Sequence, residues 1–155
     1  MMKDCCGFME KWSGFSLTIV RMVLGIVFVV HGAHKVFGWE TAAMGPGGLA
    51  NTVAGMGKMG MPAALIYLVA FTELLGGAAL VVGLLSRLAA FGILCVMAGA
   101  LLMVHLPNGF FINWFQAPNV QHGYEYNLVL MAMSLAIILG GSGRAALDNR
   151  CCQKG

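Results

Sequence analysis

Charge is what this 155-residue chain has least of. Lys and Arg together number 9 and Asp and Glu 6, so only 10% of residues are charged. A water-soluble domain averages about 25%. The exterior must therefore face something other than water, and the mean hydropathy of +0.84 agrees. The net charge of +3 is too small and its sources too scattered for a nucleic-acid surface. Dinucleotide and nucleophile-elbow motifs (G-x-G-x-x-G, G-x-S-x-G) are missing, and so is the haem-attachment run C-x-x-C-H. Any electrons the protein handles must then be carried by a partner or by a bound small molecule. The zinc spacing C-x-x-C is absent as well.

What the chain does have is 59% apolar residues, with 22 Gly and 12 Met, a composition that suits closely packed membrane helices. Four apolar segments stand out, at about 17–37, 62–84, 88–106 and 124–140. Three reach the roughly 20 residues needed to cross a bilayer, and the fourth falls slightly short. The first ends in His31-Gly32-Ala33-His34-Lys35, with no small-x-small cleavage site, and reads as a retained anchor. The expectation is an all-α fold, a transmembrane four-helix bundle in one domain over 1–155.

Seven of the nine basic residues (Lys3, Lys11, Arg21, Arg87, Arg144, Arg150, Lys154) fall on the side of the termini, and Lys35 and Lys58 on the other. The positive-inside rule then puts both termini in the cytoplasm, with a bacterial inner membrane as the expected location.

Glu73 is the residue that most needs a reason. It is the one charged residue between Leu65 and Leu84, and a carboxylate at mid-membrane costs several kcal/mol unless it is paired, protonated or hydrated. On the first span, Arg21, Gly25, Phe28, Gly32 and Lys35 share a stripe at about 100° per residue, with His31 at its margin. On the last span, Ala132, Ala136 and Gly140 form a small-residue row expected to permit close packing. At about 1.5 Å per residue, His31 lies roughly 9 Å and Glu73 roughly 16 Å below the loop-side boundary. His105 ends the third span before Pro107, while Tyr124 and Glu125 begin the fourth. These groups should converge in one leaflet.

Two readings of that convergence stay open. In the first, Glu73 pairs with His31 and Lys35 with Glu125, neutralising buried charge and fixing register. In the second, Glu73 and His31 move protons while Lys35, His105, Tyr124, Glu125 and Arg21 hold a polar head group. His34 and His122 read as surface residues, and Cys95 as a small core residue.

Cys5-Cys6 and Cys151-Cys152 place adjacent thiols at each terminus. In a reducing compartment they suggest a soft metal, Zn, Cu(I) or Hg(II), or a thiol relay. Met56, Met59 and Met61 lie in a Gly- and Met-rich loop whose 48–56 segment could form a short helix over the polar wedge. The loop 107–123 carries Phe110, Phe111, Trp114 and Phe115, an aromatic belt.

In this order, the residues resemble the DoxX family of small four-helix membrane proteins. The resemblance rests on Arg21 with Gly25, on the segment His31 to Gly38, on Glu73-Leu74-Leu75-Gly76-Gly77, and on His105 followed by Gly109-Phe110-Phe111. Gly123-Tyr124-Glu125-Tyr126, and Gly143-Arg144 with Leu147-Asp148, complete it. Ala145 and Ala146 stand where the family commonly has Tyr-Ser. The resemblance implies similarity to the membrane subunits of thiosulfate:quinone oxidoreductase, which pass electrons from a sulfur compound to quinone. It thus implies a quinone or small sulfur ligand, a membrane or soluble redox partner protein and contact with the lipid bilayer, with self-association left open. Other relatives look like accessory proteins of redox stress or disulfide chemistry. The rival expectations are a thiol-based metal-handling or transport protein and a purely structural assembly subunit.

Overall fold

The computed structural model describes residues 2–39, 46–118 and 120–152; of these, the side chains of 2–11, 13 and 150–152 are not described. Every described element is helical: α1 (Met2–Phe37), α2 (Leu49–Gly57), α3 (Ala63–Val82), α4 (Ser86–Ala100), α5 (Glu125–Gly140) and α6 (Leu147–Cys152). Beyond Ala100, α4 continues through a π-helical turn, Leu101–His105, and a 3-10 turn, Leu106–Asn108. Three stretches are long and apolar enough to span a bilayer, Gly14–Phe37, Ala63–Val82 and Ser86–Asn108, while Glu125–Gly140 is a shorter apolar helix. α1, α3, α4 and α5 run alternately up and down, with α6 at the end of the bundle that α1 starts from. That end is the terminal end below, and the opposite one, with α2 and the 109–123 loop, is the loop end.

The large side chains that remain exposed, such as Leu68, Leu75, Leu88, Leu102 and Leu139, lie along these spans. Apolar surface on that scale is stable against lipid or another apolar surface, not against water. The core is correspondingly thin, formed by Leu24, Phe28, Leu80, Ala90, Ile93, Met97, Leu130 and Ile137.

Between α1 and α3 the packing depends on missing side chains. A Cβ on Gly77 would stand 2.6 Å from the Val29 amide nitrogen and 2.9 Å from the Gly25 carbonyl oxygen. One on Gly32 would stand 2.8 Å from Leu74 Cβ. These glycines let the two backbones touch, and they set Gly32 against Leu74. On α5, by contrast, Ala132 and Ala136 are exposed, and the buried face is Asn127, Leu130, Ser134 and Ile137. Of the small-residue row expected to make contact, Gly140 does so, a Cβ there standing 2.9 Å from Leu17 Cδ1 on α1, whereas Ala132 and Ala136 face outward because the α4–α5 interface is filled by larger side chains.

At the terminal end a polar knot closes the bundle. Gly83, in the left-handed region (φ 74°), ends α3. Leu85 follows at φ 49°, and Asp148 on α6 caps α4 across the chain, accepting from the Leu85 amide at 2.7 Å and the Ser86 amide at 2.9 Å. The Asp148 amide in turn donates to the Gly83 carbonyl at 2.9 Å.

Candidate functional site

The glycine crossing has a chemical consequence. With Gly32 seated on Leu74, Glu73 lies nearly level with the last turns of α1, and the ammonium of Lys35 bonds and ion-pairs with its carboxylate. The Glu73 side chain is 3% exposed and that of Lys35 21%. This replaces both pairs anticipated above. Depth counted from span boundaries put Glu73 well below His31, whereas contact register puts them at similar height. The flexible Lys35 stem covers the remaining distance. Glu125 accepts instead from the Ile112 amide at 3.2 Å.

The pair lines a cavity of about 880 Å³. His31, Lys35, Glu73 and His105 all line it, as do Thr72 and Asn127, while most of the remaining wall is apolar. Four of the seven residues singled out from sequence are thus brought together.

The other three are not. Arg21 is 1% exposed and stands 14 residues before Lys35 on the same helix, roughly 21 Å away. Its guanidinium donates to the carbonyls of Leu80 and Ala145, to Val81 O at 3.1 Å and to Ser142 O at 2.9 Å. It neutralises the carbonyl end of α3 and ties down the segment after α5, as a cation at a helix C-terminus does. Sharing a stripe with Lys35 says nothing about depth, which is why periodicity alone grouped the two. Ala145 serves here through its backbone carbonyl. Tyr124 and Glu125 pin the 109–123 loop: the Tyr124 ring meets Phe110 edge-on at 5.4 Å, and their amides donate to Gly109 O and Phe110 O at 3.1 and 2.9 Å.

His105 is set by the π-helical turn that ends α4; such turns are frequent at functional sites. Its Nδ1 lies 2.9 Å from the His122 carbonyl. A carbonyl only accepts, so the proton sits on Nδ1 and Nε2 is left for a ligand or a transferred proton. His122, expected at the surface, is exposed and yet lines the cavity, with its own Nδ1 accepting from the Asn113 amide at 3.3 Å. His34 holds the turn after α1, its Nδ1 2.8 Å from Trp39 O.

Two further lining residues escaped sequence reasoning. Asn127 is 4% exposed, and its amide donates to Met97 Sδ at 3.8 Å. An amide inside an apolar span is a visible signal, masked here by its proximity to Glu125. Cys95, expected in the core, is exposed and lines the cavity, because the α4 face that carries it turns toward the α3–α4 gap. The anticipated helix over the wedge is α2: Thr52 Oγ1 donates to Lys35 O at 3.1 Å, and Met56 lines the cavity. The thiols of Cys5, Cys6, Cys151 and Cys152 lie outside the described side chains. Among the described residues, no group of three or more His, Cys, Asp or Glu is placed to hold a metal ion.

The fold and site together define a small polytopic membrane protein with a mostly apolar cavity between its helices, lined on one wall by an ion pair. A family model for DoxX matches residues 16–106, and the chain belongs to that family. It is 29% identical to the Bacillus subtilis protein named "Putative oxidoreductase CatD", over 90% of each chain. An uncharacterized protein of Haemophilus influenzae is 28% identical over 94% of this chain and 98% of its own. An uncharacterized membrane protein of Mycobacterium tuberculosis is 27% identical, over 90% and 83%. No solved structure gave a significant match.

Proposed function

We propose that the protein is the membrane subunit of a redox system and that its cavity binds the head of a quinone. The observation that carries this reading is the Lys35–Glu73 pair on the wall of a mostly apolar cavity. An ammonium has three donors and Glu73 engages one, so two remain for a carbonyl oxygen. The volume falls within the range of pockets that hold a small-molecule ring, and the apolar walls suit an uncharged ring. The oxidoreductase name borne by the Bacillus subtilis relative supports the redox class.

When bound, a quinone takes up two electrons and two protons, its two carbonyls becoming hydroxyls. This chain would hold the ring with Lys35 and His105. Glu73 and His31 would pass protons toward it from the loop end, the His105 Nε2 providing a second proton carrier. The electrons come from a sulfur compound oxidised by a partner protein. With the termini in the cytoplasm of a bacterial inner membrane, the cavity would face the outer leaflet.

The test is extraction. Protein purified in mild detergent is analysed for bound quinone and titrated with an added benzoquinone. About one quinone per chain is expected, with affinity falling at least ~10-fold in Lys35→Met, equivalent to the ~1.4 kcal/mol of a displaced hydrogen-bond donor. Absence of quinone, together with Lys35-independent binding, would overturn the reading.

A further inference from the structure

We infer that the ligand reaches the cavity sideways, from the bilayer, through the gap between α3 and α4, and that it carries an apolar tail which stays in that gap. This rests on the quinone-head reading of the same site. It adds the route, and it excludes small water-soluble sulfur species as occupants of this cavity.

α3 and α4 form a hairpin that is closed near its turn and open toward the loop end. Near the turn the helices touch: a Cβ on Gly76 would lie 3.6 Å from Ile93 Cδ1, and one on Gly92 3.1 Å from Thr72 Cγ2. Two turns further along α4, a Cβ on Gly99 would meet nothing within 4 Å. The facing ridges there are Leu65 and Leu68 on α3 and Cys95, Gly99 and Met103 on α4, at four-residue spacing on the latter, and all five line the cavity. Leu65, Leu68 and Met103 are also 38%, 62% and 52% exposed. A residue that both lines a cavity and is exposed marks its opening, and these lie along spans that face lipid. The loop end is mostly roofed, by buried Met61 and Gly123 and by half-buried Met56 and Ile112, although exposed His122, and Tyr126 at the start of α5, also line the cavity there.

The α3–α4 opening is thus apolar and lateral, and the Lys35–Glu73 pair is not among the residues that form it. That layout fits an amphiphile whose head meets Lys35 while its chain leaves between the two ridges. Moving a tail from lipid into an apolar gap gains little transfer energy. Its role is therefore to orient the head and to exclude lipid chains from the gap.

Cys95 is a native reporter of the gap. The full chain is reconstituted in nanodiscs and treated with an alkyl maleimide, and modification is read at Cys95 by peptide mapping. A decyl-tailed benzoquinone at ten times its Kd should slow alkylation about tenfold, as full protection of the bound state requires. The same ring without a tail, at equal occupancy, should leave the rate within ~2-fold. In Gly99→Phe, whose Cβ would start in open space and whose ring would occupy the gap, affinity for the tailed compound should fall ~10-fold while the tail-less ring holds within ~2-fold. Equal protection by the tail-less ring, or unchanged tailed affinity in Gly99→Phe, would overturn the portal. So would a Cys95 already blocked by phospholipid and indifferent to quinone. Failure of the head site looks different: the tailed compound would still protect Cys95, with the same affinity in Lys35→Met.

Discussion

Lys35 reaches across the α1–α3 crossing to neutralise Glu73, and the two partners are unequal: the carboxylate is sealed, while the ammonium keeps an edge toward the boundary. Breaking a buried pair by removing one member costs about 3–5 kcal/mol, because the other charge is stranded. Replacing both with apolar groups of similar size is often neutral. Which member is removed should matter here, since Lys35 can turn toward the membrane surface on its flexible stem and Glu73 cannot.

Glu73→Gln should therefore lower the melting temperature in detergent only slightly, Lys35→Met clearly more, and Lys35→Met/Glu73→Leu should recover most of the loss. All three should lose quinone binding by at least ~10-fold if the pair is retained for its ligand, since the displaced hydrogen bonds are worth about 1.4 kcal/mol or more. A double variant that binds as well as wild type would reduce the pair to a packing device.

The pair depends on the glycines that allow it. Gly77→Leu puts atoms where the Val29 and Gly25 backbone already stand, so overpacking of about 1–3 kcal/mol or more is expected. Gly55→Leu on α2, where a Cβ meets nothing within 4 Å, should be nearly silent. Thermal melts of the two variants side by side check this, and equal effects would show that α1 and α3 have room to separate.

Much of this was legible in the residues themselves. Span existence followed from apolar runs, and the need of Glu73 for a partner followed from its isolation. The identity of that partner did not, because it depends on a helix register set by backbone contact at Gly32 and Gly77, a tertiary quantity that counting from span ends misjudges. The same limit explains Arg21. A stripe on a helical wheel has an angle and no depth, so a terminal-end clamp and a loop-end ligand look alike. Cys95 and the Ala132–Ala136 row were misjudged for a related reason: in lipid an apolar face carries no mark of whether it meets a helix, a cavity or the bilayer.

Arg21 supplies the control for the site. Arg21→Met removes donors from four carbonyls at the terminal end and should destabilise the bundle by several kcal/mol, since buried acceptors are left unsatisfied at about 1–3 kcal/mol each. In protein that still folds, quinone affinity should stay within ~2-fold of wild type, because the cavity lies at the other end. A selective loss of binding at unchanged stability would instead return Arg21 to the ligand site.

Asp148 makes the terminal knot sensitive to acid. Burial alone pushes its carboxyl upward, but the Ser86 and Leu85 amides and the positive charge of Arg21 outweigh this and hold it below the ordinary value of 3.8. A carboxyl depressed in the folded state stabilises above its unfolded value, and that contribution is lost as pH falls through the folded one. Wild type should therefore exceed Asp148→Asn at neutral pH by about 1 kcal/mol, the usual worth of a helix cap. The gap should narrow as pH drops below 3.8. Melting curves of both proteins from pH 7 to pH 3 measure it. A difference that persists undiminished to the acid end would mean that the Asp148 side chain acts by shape, with α4 held by something other than its charge.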